Sequence, residues 1–408
     1  MVYEHISGGG FAGKPLPVNV LCEGYAMLQA VVADFKAAGH TVTTTLDSRI
    51  AALKPPLLAD LAVSVASGDN VKSVVRDAAS SADAALIVAP ESNGTLQSIV
   101  EIVKETSALS LNSSPAAIQE AADKAALCHR VKALGIAAPE TVFLDTCDGV
   151  CAAKKAIRDK LGLPIVIKPF HGVSCGGLSL IKNWGELDSA MKKTTYESLD
   201  GHFLAQEFIR GVAASVSLIA NGEKVLAVSL NKQNIALGTS KSDSCYEGGV
   251  VPLDSALSAE AFAAAEKTVA SFKSIVGHVG VDLVLTEEQP FVIEINPRMT
   301  TSVVGLRKVA DFNPAQAVLD VAVNHELPTD VQTRGYAFFS KTAVPNPTTQ
   351  AFQRTCQMEE VASPPFPVAE NGTAYALIQS YGSSLDEAAL KLREAEKRVR
   401  CACGGRTS

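Results

Sequence analysis

Two acids stand out in the segments VDLVL (281–285) and FVIEIN (291–296), which the short link TEEQP joins. Both segments read as strands, so the pair reads as an antiparallel hairpin. With the hairpin centred on Glu288, Asp282 and Glu294 face each other, and Asn296 shares their face two residues on. Opposed Cβ atoms in such a pair lie ~5 Å apart. Two carboxylates ~4 Å apart repel by ~4 kcal/mol at an effective dielectric of ~20. Either one is protonated or cations sit between them. Two acids and an amide carbonyl are hard oxygen donors, the set that Mg²⁺ or Mn²⁺ takes beside phosphate oxygens. The ordinary alternative is a solvent-facing acidic pair, against which the Val, Leu and Ile neighbours argue.

A second hairpin reads PIVIKPFHGVSCGGLSLI (164–181). Lys168 ends its first strand, and Gly172, Gly176 and Gly177 populate the link. Such a link lets backbone amides approach phosphate oxygens and lets the loop close as a lid. Lys168 adds a charge, and Lys124, at the start of a helix in ADKAAL, is a candidate second cation.

Residues 8–15, GGGFAGKP, spell most of a phosphate-binding P-loop. The residue after the Lys should be Ser or Thr, followed by a helix whose amides face the phosphates. Here it is Pro15, with Pro17 beyond, and the helical pattern begins only near Leu21. A ligand loop after the first strand of an α/β unit fits better, with Gly9 and Gly10 as substrate contacts.

These residues need elements to position them. Residues 1–115 alternate strand and helix signals: VYEHI, a helix to Gly39, TVTTTL, a helix around NVKSVVRDAA, AALIVAP, a helix around LQSIVEIVKE, and ALSLN. That order predicts a parallel sheet with helices on its faces. After about residue 120, strands arrive in close pairs joined by short polar links, which predicts an antiparallel α+β unit. The fold class is therefore α/β and α+β, with units at 1–115, 116–330 and 331–408. The segment 236–252, ALGTSKSDSCYEGGVVP, reads as a long polar loop.

Composition sets limits. The chain has 408 residues, 47% of them hydrophobic and 19% charged, enough for two or three cores. A net charge of −7 without a basic stripe argues against nucleic-acid binding. No apolar run is long enough to span a bilayer and no signal peptide opens the chain. The nine cysteines are scattered without zinc spacing, which fits free thiols in the cytoplasm.

Taken in order, Lys124, IVIKPFHGVSCGG, AQEFIRG, Asp282 and EINPR resemble the ATP-grasp superfamily over about residues 115–310. Residues 1–115 resemble the domain that usually precedes it. The resemblance implies an ATP-grasp fold with an N-terminal parallel preATP-grasp domain and a lid at about 138–205. It implies that Lys124, Lys168, Ser174, Gly176, Gly177, Gln206, Glu207 and Ile209 bind ATP. Asp282, Glu294 and Asn296 would hold the metal, and Arg298 would face the transferring phosphoryl group. One departure is Ala213, where many members carry a Glu for the ribose. The implied chemistry is ligation of a carboxylate to an amine or thiol through an acyl phosphate.

Four segments, YEHISGGG, LDSR (46–49), APESNGTL (89–96) and NKQNI…YEGGVVP (231–252), are similar to the tyramine–glutamate ligases of methanofuran biosynthesis. Within the last segment, Lys232 is assigned to catalysis with Arg298, and Tyr246, Gly248 and Gly249 to substrate. The partners expected are an amino acid and an amine, and association into a homo-oligomer stays open. Another amino-acid ligase, a carboxylase-type enzyme and a nucleotide-binding protein without catalysis are the rival readings.

Overall fold

Three sheets organise the chain. The computed structural model describes residues 1–404 other than 171–174, 198–200 and 369–371. Strands β1 (Val2–Glu4), β2 (Thr43–Asp47), β3 (Leu61–Val65), β4 (Ala84–Val88) and β5 (Leu109–Ser110) form a parallel sheet in the order β3-β2-β1-β4-β5. The central strands β1 and β4 are almost wholly buried, as their continuous apolar runs require. Strand β3 was not expected. It is an edge strand whose Leu61, Ala62 and Ser64 are exposed, so it lacks the apolar contrast that marks a buried strand. Helix α1 (Val18–Ala37) packs Tyr25, Leu28 and Val32 into the core beneath this sheet.

Strands β6 (Thr141–Asp145), β7 (Ile165–Pro169), β8 (Ser179–Ile181) and β9 (His202–Glu207) form an antiparallel sheet in the order β6-β9-β7-β8. This unit has its own core, centred on Ile157, Ile165, Ile167 and Phe203. It ends at Glu207, slightly past the expected limit of 205.

The third sheet has eight strands. β10 (Val212–Asn221), β11 (Val225–Ala236), β12 (Cys245–Val251), β13 (Val276–Leu285), β14 (Pro290–Asn296), β15 (Tyr336–Pro345), β16 (Val361–Ser363) and β17 (Thr373–Gly382) run in the order β14-β13-β10-β11-β12-β15-β17-β16. Two expectations are corrected here. Residues 331–408 are not a separate subdomain, because β15 pairs with β12 and extends the same sheet. Residues 245–251 are a strand and not part of a loop: Val250 and Val251 are buried, Val251 in the core beneath α1, while Gly248 and Gly249 masked the strand pattern.

The β13–β14 hairpin turns at Thr286 and Gln289, where Thr286 N–H donates to Gln289 O. Near the turn Leu283 pairs with Val292, yet the next pair is Asp282 with Glu294. Ile293 is therefore a one-residue bulge. The expected centre on Glu288 was half a residue out, and the bulge compensates. Without it Asp282 would pair with Ile293, and the two acids would lie on opposite faces.

All nine cysteines are free. Among the described residues no helix is long and apolar enough to cross a membrane.

Candidate active site

A cleft of about 890 Å³ opens where the three sheets meet, lined by Glu4, Lys168, Asp282, Glu294, Arg298 and Ser340 among others. The acid pair forms its floor. Asp282 Oδ1 accepts from Gln233 Nε2 at 2.9 Å, and Oδ2 accepts from Asn296 Nδ2 at 3.2 Å. Glu294 Oε1 accepts from Lys124 Nζ at 2.9 Å. Lys124 opens the helix Lys124–Ala133, where the Asp123 carboxylate caps the amides of Ala125 and Ala126. That cap fixes the helix start and turns the buried Lys124 side chain into the cleft. Lys168 enters from β7 and is buried as well.

The charges are coupled. Burial, then repulsion from Glu294, pushes Asp282 up to about 6, against the amide bonds from Gln233 and Asn296. Burial also opposes ionisation of Glu294, but Lys124 and Lys168 outweigh it and hold Glu294 below the usual carboxylate range. Burial lowers Lys168, with Lys124 adding to the effect and Glu294 opposing it. Two facing carboxylates, one resisting ionisation beside the other, together with an amide oxygen, are a donor set that fits a hard divalent cation.

Arg298 follows the short strand end at Pro297. Its Nη1 donates to Met299 O at 3.2 Å and its Nη2 to Asn296 Oδ1 at 3.4 Å. Its Nε stands 3.0 Å from Glu91 Oε1, which comes from the first sheet's side of the cleft. The buried His278 donates from Nδ1 to Arg298 O at 3.1 Å, pinning the backbone there.

The sequence profile of the ATP-grasp domain matches residues 121–302, and that of a pre-ATP-grasp domain matches residues 40–118. A tyramine–L-glutamate ligase from Methanocaldococcus fervens is 30% identical over 254 residues, 62% of this chain and 71% of that protein. The chain belongs to the ATP-grasp family. A solved ATP-grasp superfamily protein from Archaeoglobus fulgidus superposes with a TM-score of 0.62 at 25% identity, over 92% of this chain and 97% of that one. A biotin carboxylase from Campylobacter jejuni, solved as a β-γ-ATP complex, shares the fold with a TM-score of 0.70 at 16% identity, over 91% and 88% of the two chains. By its family this ATP-grasp chain is an ATP-dependent carboxylate–amine ligase, and the family uses ATP with Mg²⁺.

The ATP-grasp cleft gathers most of the expected site residues. Gln206, Glu207 and Ile209 line it at the β9 end, and Gln206 Nε2 donates to Thr141 Oγ1 at 3.0 Å. Gly176 lines it, whereas Gly177 does not, its carbonyl accepting from Thr194 Oγ1 at 3.0 Å. Ser174 lies outside the described residues. Ala213 also borders the cleft. Tyr246 lines it, tilted 6.4 Å from the Phe339 ring, and burial raises its phenol far above the usual value.

The four glycines expected at the substrate need correction. Gly9 and Gly10 do not reach the cleft: a Cβ on Gly9 would lie 2.6 Å from that of Val65, and one on Gly10 would enter the His5 ring. The loop is packed inward and stapled by Arg49, which bonds Asp47 and the carbonyls of Phe11 and Lys14, so the LDSR segment is structural. From this stretch Glu4 and Ile6 line the cleft instead. Gly248 and Gly249 are buried in the sheet and do not line the cleft either. Gly248 has φ +123° and lies against Phe339 O of β15, which is what demands glycine there. Lys232 borders the cleft, but it pairs with Ala214, on the sheet face opposite Asp282. The neighbouring Gln233 is the residue of that strand that touches the acids.

Sequence reading also missed Glu91, His278 and Glu4. Glu91 lies in the quoted APESNGTL segment, so a signal existed. Glu4 lies in the quoted YEHISGGG segment and had the same signal, whereas His278 carries no local pattern.

Proposed function

We propose that this chain joins the γ-carboxylate of L-glutamate to a primary aromatic amine, tyramine, with conversion of ATP to ADP and phosphate, in methanofuran-type cofactor biosynthesis. The observation that carries the reading is one cleft holding Lys124 and Lys168, the Asp282–Glu294 pair and Arg298 together. The likeness to the Methanocaldococcus fervens ligase supports the choice of acid and amine.

In the first step a carboxylate oxygen attacks the γ-phosphorus. The bond to the β-phosphate oxygen breaks, and ADP leaves with the electron pair. In the second, the neutral amine nitrogen attacks the acyl carbon and the bond to phosphate oxygen breaks. Phosphate leaves with that pair and takes the amine's surplus proton. Lys124 and Lys168 balance phosphate charge, and the Gly176 loop lies over the same region. Arg298 meets phosphoryl and acyl oxygens bidentately as charge moves between them. Asp282, Glu294 and Asn296 would hold a divalent cation, which supplies charge neutralisation at the phosphates when bound. Most of the rate then comes from positioning and electrostatics.

The test is ADP release from ATP with glutamate and tyramine, each omitted in turn, with the product weighed by mass spectrometry. An amide of one glutamate and one tyramine is expected. ADP release that follows bicarbonate and ignores the amine would replace this reading with a carboxylase. Absence of turnover with every acid and amine would leave a nucleotide-binding protein.

A further inference from the structure

Beyond Arg298, the cleft continues into a lobe that the phosphate chemistry does not use. Its walls are Glu4 and Ile6 at the end of β1, and Val20, Glu23, Gly24 and Met27 on α1. The α1 residues recur at three- and four-residue spacing, so one helix face lines the lobe.

Glu4 is only 2% exposed. Its carboxylate is held rigidly: Oε1 accepts from Ile6 N–H at 3.0 Å, and Oε2 from Ser7 N–H at 2.7 Å and Ser7 Oγ at 2.6 Å. Gly24 covers its other side, and a Cβ there would lie 2.6 Å from Oε1. Among the described residues no cationic side chain forms an ion pair with Glu4. Its neighbour Glu23 is already matched, by Lys341 Nζ at 3.0 Å, with both side chains buried. The lobe thus carries one carboxylate in excess, beside apolar side chains. A buried charge without a counter-ion is costly, and a ligand cation offsets that cost.

We propose that Glu4, framed by Ile6, Val20 and Met27, is the subsite for the primary ammonium group of the acceptor amine, an inference that rests on the ligase reading above. An ammonium at Glu4 restores neutrality, one of its protons passes to the Glu4 carboxylate so that the freed lone pair attacks the acyl carbon, and the apolar wall takes the amine's hydrocarbon body. The α-ammonium of the amino acid has the same charge, but its carboxylate-bearing body suits that wall poorly.

The experiment compares two acceptors on the full chain, with ATP and L-glutamate: tyramine, and hydroxylamine, which is small and largely uncharged at neutral pH. Hydroxamate formation by the unaltered chain establishes acyl transfer. Its absence together with absence of tyramine turnover would sink the ligase reading itself. In Glu4→Gln the KM for tyramine should rise at least ~10-fold, the scale of a lost charged hydrogen bond, while the KM values for ATP and glutamate and the hydroxamate rate move less than ~3-fold. A rise in glutamate KM would place the amino acid's ammonium at Glu4 and overturn the assignment. Equal loss with both acceptors would overturn it too. Val20→Phe, at a partly exposed position, narrows the lobe without touching the charge. It should raise the tyramine KM by ~5-fold and leave hydroxamate formation in place. An unchanged tyramine KM in that variant would count against the lobe.

Discussion

Glu91 and Arg298 meet across the cleft at 3.0 Å, with side chains 11% and 14% exposed. Glu91 belongs to the α/β unit and Arg298 follows β14 of the eight-stranded sheet, so this contact ties the α/β unit to the acid hairpin. The atoms that approach, Glu91 Oε1 and Arg298 Nε, make no hydrogen bond with each other or with anything else described. The pair is ionic without being directional. It holds the guanidinium in place while leaving an N–H for an oxygen of the reacting groups.

Arg298→Lys tests that arrangement. Lysine keeps the charge and loses the planar fork. The kcat should fall by at least ~30-fold, and the KM for ATP should change by less than ~3-fold, because the contact matters most while charge is transferring. Steady-state kinetics varying ATP would decide it, and a change confined to the ATP KM would refute the role.

Glu294→Gln removes one of the two facing carboxylates and the partner of Lys124. A loss of ~10² or more in kcat is expected, about 3 kcal/mol of transition-state stabilisation. A thermal melt should accompany the kinetics to confirm folding. Retention of more than a fifth of the kcat would remove Glu294 from the metal-binding set.

Lys14→Ala addresses the opening glycine loop. Lys14 is exposed and does not line the cleft. Its replacement should leave ATP affinity within ~3-fold, under ~0.7 kcal/mol. Isothermal titration with ATP measures this directly, and a hundredfold loss would make the loop a phosphate site after all.

His278 gives the fold a pH dependence. It is 3% exposed, its Nε2 has no partner among the described residues, and burial pulls it down to about 4, opposed by the hydrogen bond to Arg298 O and helped by the Arg298 charge. The unfolded chain therefore binds a proton that the folded chain refuses between about pH 6.5 and 4. The stability contribution is fully present above pH 6.5 and lost as pH falls through that window, by at most ~3 kcal/mol. His278→Asn keeps a donor for Arg298 O but cannot titrate. Urea melts at pH 7 and pH 5 should show a smaller loss in the variant than in the unaltered chain. Equal losses would mean that His278 does not set the slope.

The legible parts of the sequence were those with local patterns. Most strands of alternating or continuous apolar residues were found; β3 at an edge, β9 read only as a hinge, β12 behind its glycines and the three-residue β16 were not. The acids were placed on one face for a partly wrong reason, since the turn was misjudged and the bulge at Ile293 could not be seen. Lys232 was named and its neighbour Gln233 was not, because only the β10–β11 register shows which of them faces Asp282. The glycines at 9, 10, 248 and 249 suggested ligand approach, whereas backbone and side chains from distant strands explain them. Glu4 bonds Ile6 and Ser7, and His278 bonds the carbonyl of Arg298 one hairpin away; both contacts are close in sequence, but the burial of these side chains beside the cleft is not written in a local pattern.

The eight-stranded sheet also dictates an order of assembly on the ribosome. β12 emerges early, but its outer neighbour β15 comes only after the acid hairpin and two further helices. Until then β12 presents an open edge, and α1 lacks the Phe339, Phe352 and Phe366 surface that completes its core. Glu23 waits much longer for Lys341, which lies 318 residues further on. The nascent chain therefore carries a buried-to-be carboxylate through most of its synthesis and an unpaired strand through a later part of it, an interval in which edge pairing with other chains competes with folding. Closing the sheet and neutralising Glu23 are the same late event.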